Sequence, residues 1–435
     1  MAAFTQQAAE LTPAGLNWLA DFNQRGRERW KVTPFPTRKT ENWKYTSLQA
    51  LADGSYLRWP QAKGAELSEQ VDAIEGLDAC ALIFVNGVFA ESLSCNNLPE
   101  SVEVVRFSQA NESQQQAILA KLGSIADSEK HLFAALNDSW LQEGVYLHVA
   151  KNAHVKQPIY IHHITTPEAE NFAVNQRLLV HVESSAEATV VEHFSSTEEA
   201  QNCFTNAITE LQLDANARLT HYHLHLEEEN TLHIGGVHVN LERDATLNSF
   251  MMSLGANLQR TDVVVNHRGE GAHCGLNGIY LPNHKHTVDF HTCIEHAVPN
   301  CTTHEVFRGI IGDHGKAVFN GRIHIHQDAQ KTVADLSNKN LLTSHNAEVD
   351  TKPELEIYAD DVKCSHGATI AQLEEKALYY LQSRGVDRER AEIMLSFGFI
   401  NELLEQLAHV PVRDYLTPLV SELFEKKFDR ARASA

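Results

Sequence analysis

One pattern limits what this chain can fold into more than any other. Small residues recur ahead of short alternating apolar runs: Ala186-Glu187-Ala188, Ala215-Asn216-Ala217, Asp244-Ala245, Gly271-Ala272 and Gly315-Lys316-Ala317. Between positions 188, 217, 245 and 272 the intervals are 29, 28 and 27 residues. The runs themselves, such as Ala217–Leu226 (ARLTHYHLHL), Val237–Leu241 and Gly321–His326, alternate with a period of two, as a strand with one buried face does. A near-constant interval that holds two or three such strands marks a solenoid, each coil stacked on the next at roughly 4.8 Å. About 200 residues, from 171 to 370, then give roughly seven coils and a rod of about 34 Å. A β-sandwich also spaces its strands every 8–12 residues, but the repeat favours a β-helix.

The flanks read differently. Residues 1–170 mix helix and strand. Residues 12–30 carry Leu16, Leu19, Ala20 and Phe22 near one helical face, and 112–123 and 129–141 are also helical in pattern. Residues 81–94 read as a hairpin turning at Asn86-Gly87, while 144–149 and 157–164 read as strands. Residues 371–435 are helical. Ala371–Arg384 runs to a C-capping Gly385, and Asp387 caps a helix with the apolar stripe Ile393, Met394, Phe397, Ile400, Leu403, Leu404 and Leu407. Pro411 ends that helix and 412–430 form the last one. Helices here are expected to cap the open end of the solenoid, where the last coil exposes unpaired strand edges.

Bulk properties exclude some functions. A formal charge of −21 argues against nucleic acid, which demands a basic face. Seven cysteines without CxxC spacing suit a reducing cytoplasm better than a disulfide framework. The first residues hold no basic or apolar stretch of a secretory signal, and the apolar run Cys80–Val85 is far too short to span a bilayer. Neither a phosphate-binding glycine loop nor a GxSxG elbow is found. Asp360 and Asp361 are adjacent, so on a strand they point to opposite faces and make a poor acid/base pair.

Metal-ligand chemistry is the remaining signal. His221, His223 and His225 alternate on one strand and share a face, with His324 and His326 as a further pair. Such a face could serve a metal-dependent or carbohydrate-active β-helix enzyme; in a chain with 25 histidines, residues lining a solenoid face are the simpler account. Cys293 and Cys301 with His291 and His296 form a looser group without zinc-finger spacing. Cys364 and His366 lie two apart after the run Leu355–Tyr358, on one face if the strand continues. A thiolate beside an imidazole can hold iron, zinc or a persulfide sulfur. Tetrahedral zinc and iron–sulfur clusters usually want four ligands, so a metal at this pair would need ligands from elsewhere.

Three segments together resemble the SufB/SufD family of iron–sulfur cluster assembly proteins: Pro36–Thr46 (PTRKTENWKYT), Asn340–Ile357 running into Asp360–Thr369, and Tyr379–Gly385 with the helix after it. Within that family the string Lys363-Cys364-Ser365-His366-Gly367, and the absence of cysteine from Asn346–Pro353, are similar to the SufD branch. The resemblance implies a right-handed parallel β-helix between an N-terminal α/β part and a C-terminal helical part. It implies a non-catalytic scaffold subunit that pairs with a SufB-like subunit through the end of the β-helix and docks a SufC-like ABC ATPase on its C-terminal helices. His366, with Cys364 and Glu348, would contribute to a nascent iron–sulfur cluster shared transiently with the SufB-like partner, His366 being the metal ligand, and the isolated chain would hold no stable cofactor. Tyr379, Arg384, Gly385, Phe397 and Phe399 would serve ATPase docking. Without its partner the chain is expected to form a homodimer through the same strands.

Overall fold

The computed structural model describes residues 3–11, 15–56, 73–94, 98–168, 170–197, 202–227 and 230–433, with side chains as far as Phe424; Cys95 lies outside the described residues. The N-terminal region contributes helices α1 (Ala3–Glu10), α2 (Ala20–Val32) and α3 (Gln49–Asp53), the hairpin β1 (Cys80–Val85) and β2 (Val88–Phe89), strand β3 (Val102–Arg106), and helices α4 (Glu112–Leu119) and α5 (Leu132–Trp140). Strands β4 (Val145–Val149) and β5 (Ile159–Thr165) begin the solenoid. Seven coils follow, each with one strand in either of two sheets: β6 (Phe172–Val182) and β7 (Glu187–Ser196), β8 (Cys203–Leu213) and β9 (Arg218–Leu226), β10 (Leu232–Leu241) and β11 (Thr246–Ser253), β12 (Leu258–His267) and β13 (His273–Tyr280). The last three are β14 (Thr287–His296) and β15 (Thr302–Ile311), β16 (Lys316–Ile325) and β17 (Val333–Leu342), and β18 (Glu348–Ile357) and β19 (Lys363–Gln372). Helices α6 (Glu375–Gln382), α7 (Arg388–Glu405) and α8 (Val410–Ala433) complete the chain.

The protein is therefore mainly β, a parallel solenoid between helical regions. Odd strands from β5 to β19 stack in one sheet and even strands from β4 to β18 in the other, every neighbour parallel. The expected hairpin at Asn86-Gly87 is present, with both turn residues at positive φ.

The repeat in the sequence is real, but its register differs from the spacing read off the alanines. One corner of each coil is a ladder of small buried residues joined by backbone hydrogen bonds, N–H of the next residue to the carbonyl one coil below: Ala186, Ala217, Ala245, Ala272, Cys301, Thr332. Ala217 thus stacks on Ala186 and not on Ala188, and Ala317 belongs to the other sheet. The residue before each corner adopts a left-handed conformation: Ser185, Asn216, Asp244, Gly271, Asn300 and Lys331 have φ between 56° and 78°. Asn, Asp and Gly tolerate this region best, and one such residue lets the chain reverse within a four-residue turn.

Each sheet is two-faced. Inward residues of both sheets form one continuous apolar core, with Leu147, Val180, Leu211, Val239, Val265, Ile294 and Ile323 all essentially inaccessible. A side chain of this size contributes about 1.5–3 kcal/mol when fully buried. The outer face of the even-strand sheet carries Phe204, Ile234 and Leu258 and is covered by Phe4, Trp30, Phe133 and Trp140 of the N-terminal helices. Arg177 on β6 ties the two layers, with Asp138 of α5 at 3.0 Å and Glu210 at 2.6 Å. Glu210 also accepts the backbone N–H groups of Gly123, Ile125 and Ala126.

The C-terminal helices depart from expectation. They lie along the outer face of the odd-strand sheet, where Ile400, Leu403, Leu404, Val412 and Leu416 pack on Tyr222, Leu224, Met252 and Ile310. Among the described residues nothing covers the solenoid end. The reason is the apolar outer row of that sheet, which would otherwise face water and needs a helix layer of its own. Asp387 caps α7 as expected, accepting from Arg390 N–H at 2.9 Å. Pro411 falls in the first turn of α8, where the missing N–H costs nothing, rather than ending a preceding helix.

Candidate functional site

The exposed end is where the sequence placed Cys364 and His366. Strand β19 pairs with β17 in parallel register, Cys364 beside Ala334 and His366 beside Leu336, and β18 pairs with β16. Among the described residues neither terminal strand has a neighbour on its far side. Because Ala334, Leu336, Asn338 and Asn340 face inward, Cys364, His366, Ala368 and Ile370 continue those inner rows. On β18 the matching row is Val349, Thr351, Pro353, Leu355 and Ile357, stacked on Ala317, Phe319, Gly321, Ile323 and Ile325. The last coil thus presents a core half without its other half.

Cys364 and His366 share one face, as alternation requires. Cys364 is half-buried against the core, and desolvation with the nearby Asp335 carboxylate pushes its thiol above the usual range. His366 is exposed. Just beneath lies a polar knot: Tyr280 donates to Asn340 at 2.5 Å, Asn338 donates to Tyr280 at 2.8 Å, and Thr351 donates to Asn338 at 2.9 Å. It ties β13, β17 and β18 together across the interior.

Glu348 is not brought to this face. It lies on the outer side of β18, where Lys316 Nζ donates to it at 2.5 Å and holds its carboxyl below the ordinary range. The strict alternation of Glu348, Asp350, Lys352, Glu354 and Glu356 with Val349, Thr351, Pro353, Leu355 and Ile357 carried that information.

The residues expected to dock an ATPase divide. Tyr379 on α6 is 73% exposed and Arg384 stacks over Tyr380 at 3.7 Å, with Gly385 at φ +85° turning the chain beyond them. Phe397 and Phe399 are partly buried in the packing of α7 on the odd-strand sheet, and the Phe399 carbonyl accepts from Arg308 at 2.7 Å.

The histidine face is present but sealed. His221, His223 and His225 point into the solenoid and are buried. His221 is bonded to Glu192 at 2.8 Å and Ser249 at 3.0 Å. His324 and His326 do not join them. They lie on the outer side of the even-strand sheet, paired with Glu295 at 2.6 and 3.0 Å in an open cleft of about 670 Å³ beside Arg322 and Cys293. The Cys293, Cys301, His291 and His296 group is divided the same way, the first and third outside, the second and fourth inside. The sequence reading passed over Glu227 and His233, which close around His225; the spacing of Glu227 two residues after His225 was the signal available.

The architecture is a parallel β-solenoid with one end closed by reversed strands and the other bare among the described residues. The chain belongs to the SufBD family of iron–sulfur cluster assembly proteins: residues 163–399 match the SufBD core domain of the SUF iron–sulfur assembly system, and 1–161 match the SufBD N-terminal region. It is 35% identical to iron–sulfur cluster assembly protein SufD of Escherichia coli, over 86% of each chain. It is 24% identical to SufD of Bacillus subtilis over 94% of each, and 28% identical to a SufBD family protein of Synechocystis over 89% of this chain and 87% of that one. Among the described residues no helix is long and apolar enough to cross a membrane.

Proposed function

We propose that this chain is a SufD-like, non-catalytic scaffold subunit of a cytoplasmic complex that builds iron–sulfur clusters. Its partner is a SufB-like subunit whose own terminal coil completes the open core at β18 and β19. His366, with Cys364 beside it, then faces a shared site where the nascent cluster, the cargo of the complex, is held transiently with ligands from both chains. A SufC-like ATPase docks on the C-terminal helices at the exposed α6–α7 end around Tyr379 and Arg384. The observation that carries this reading is the bare terminal coil, with ten-residue strands in both sheets, an unfilled inner row and His366 in that row. Unpaired edges of that length invite pairing with another strand.

The test is co-expression with SufB-like and SufC-like subunits, followed by reconstitution. His366→Ala should leave the complex intact and lower the iron and sulfide it retains; an undiminished cluster content on that variant ends the ligand role. Tyr379→Ala should weaken ATPase retention, and unchanged retention removes that docking face. The carbohydrate-active alternative loses its support because His221, His223 and His225 are at most 3% exposed, beyond the reach of a polysaccharide.

A further inference from the structure

A second site lies inside the solenoid, at the corner where β9 passes to β10. His225 is the last inward residue of β9, Glu227 follows two residues later, and His233 enters with β10. All three are buried, at 2%, 6% and 1% exposure. One ligand atom from each can be chosen so that all lie within 4.8 Å of one another. His233 Nδ1 is 2.5 Å from Glu227 Oε2, and His225 Nδ1 is 3.8 Å from the same oxygen, too far for a hydrogen bond.

The position of His225 is the informative one. Its Nε2 is bonded to His223 Nδ1 at 2.8 Å, and its Nδ1 is buried without a hydrogen-bond partner. If the shared proton sits on Nε2, the Nδ1 lone pair faces a carboxylate with nothing between them. If it sits on His223, Nδ1–H points at an acceptor it does not reach. Either arrangement leaves an uncompensated buried polar atom, which costs about 1–3 kcal/mol. A cation between Nδ1 and the carboxylate relieves it.

The surroundings are those of a supported ligand set. His223 fixes the ring of His225 through the far nitrogen, and Thr205 Oγ1 donates to the other carboxylate oxygen of Glu227 at 3.3 Å. Outer contacts of this kind orient histidine and carboxylate ligands in metal sites. Two imidazoles and one carboxylate suit zinc or ferrous iron.

We propose that His225, Glu227 and His233 bind one divalent transition-metal ion, zinc or ferrous iron, as a resident ion of the solenoid interior. The site is separate from the open end and is independent of the subunit role proposed above.

The full chain, freed of metal with a chelator and dialysed, is titrated with cobalt(II) and, separately, zinc(II). One equivalent of cobalt should bind with the visible d–d absorption of a low-coordinate nitrogen/oxygen site, and zinc should displace it and raise the melting temperature. Glu227→Gln and His233→Gln should each weaken binding at least about tenfold, while His326→Gln, at the outer cluster, should leave it unchanged. Less than a tenth of an equivalent bound by the folded wild-type chain overturns the proposal, as does a signal lost in His326→Gln and kept in His233→Gln. If either interior variant fails to fold, X-ray absorption on the zinc-loaded wild-type chain decides: a first shell of two imidazoles and a carboxylate completed by water oxygen, still present in His326→Gln, supports the site, and a shell with any other number of imidazoles or with sulfur overturns it.

Discussion

The two ends of the solenoid are finished in opposite ways. At the first, the sheets stop by reversing direction: β2 and β3 run antiparallel to β1 and β4, β2 is two residues long, and Phe89, Leu98 and Val102 pack on the core. A reversed short strand offers no template for another parallel coil. At the other end, β18 and β19 are ten residues each, parallel to everything beneath them, and bare. What changes between the ends is whether this chain supplies the last layer. The contrast separates residues that this chain encloses from residues that it leaves bare.

The largest expected break of that contrast is by acid. Burial holds His162 and His238 down to about 3, and His286 and His296 down to about 4. Their folded values lie below the unfolded one, so the unfolded chain takes up protons first. The stability they contribute is present above about pH 6.5 and lost as pH falls through 6 toward 4, by about 1.4 kcal/mol per pH unit for each group fully in its window. Urea unfolding at pH 8, 6 and 5 should show a steep fall, flattened in His238→Gln; equal midpoints at pH 8 and 5 would contradict the buried neutral histidines. Glu305 works the other way. Burial raises it to about 7, so its contribution is full below about pH 4.5 and lost by pH 7, and Glu305→Gln should stabilise the chain at pH 8.

Next come paired leucines at the two ends. Leu147→Ala, at the closed end, should cost about 2–5 kcal/mol in denaturant unfolding. Leu355→Ala, in the unfilled row, should cost less than about 1 kcal/mol in the isolated chain. Equal losses would mean that the open end is packed after all. Ala368→Lys then sharpens the comparison without touching stability. The melting temperature should move by no more than a few degrees, while retention of a SufB-like partner, or self-association in its absence, falls at least about tenfold, as expected for an unpaired charge placed in a core. The smallest effect is Glu348→Gln, which loses one half-exposed ion pair with Lys316, worth about 0.2–1 kcal/mol, and should leave cluster content on the complex unaltered. A large drop in cluster content would return Glu348 to the shared site.

Much of this was legible in the residues. Alternation fixed the strands, and the interval fixed a stacked architecture, because each coil repeats the same turn chemistry. Register was misjudged by two residues at Ala186 and Ala188, since both are small and the true marker is the left-handed residue ahead of the corner, a backbone property shared by Ser185, Asn216 and Lys331 despite their different side chains. The place of the C-terminal helices was missed for a related reason. Their apolar stripe announced a partner face but not which one, and two candidate faces, the solenoid end and the outer side of a sheet, are both apolar. At the site, parity along β19 put Cys364 and His366 on one face, whereas Glu348, brought in by the family resemblance, lies on the opposite side of its strand.

The reversed strands at the closed end have a consequence for biosynthesis. They come from residues 80–149, so a growing chain makes its stopper first and lays each new coil on a finished one as it leaves the ribosome. The adhesive edge is the last layer of the solenoid to be made, with helices α6 to α8 translated after it. Nascent chains on neighbouring ribosomes therefore carry no completed terminal coil with which to stick to one another until every earlier coil has been laid down.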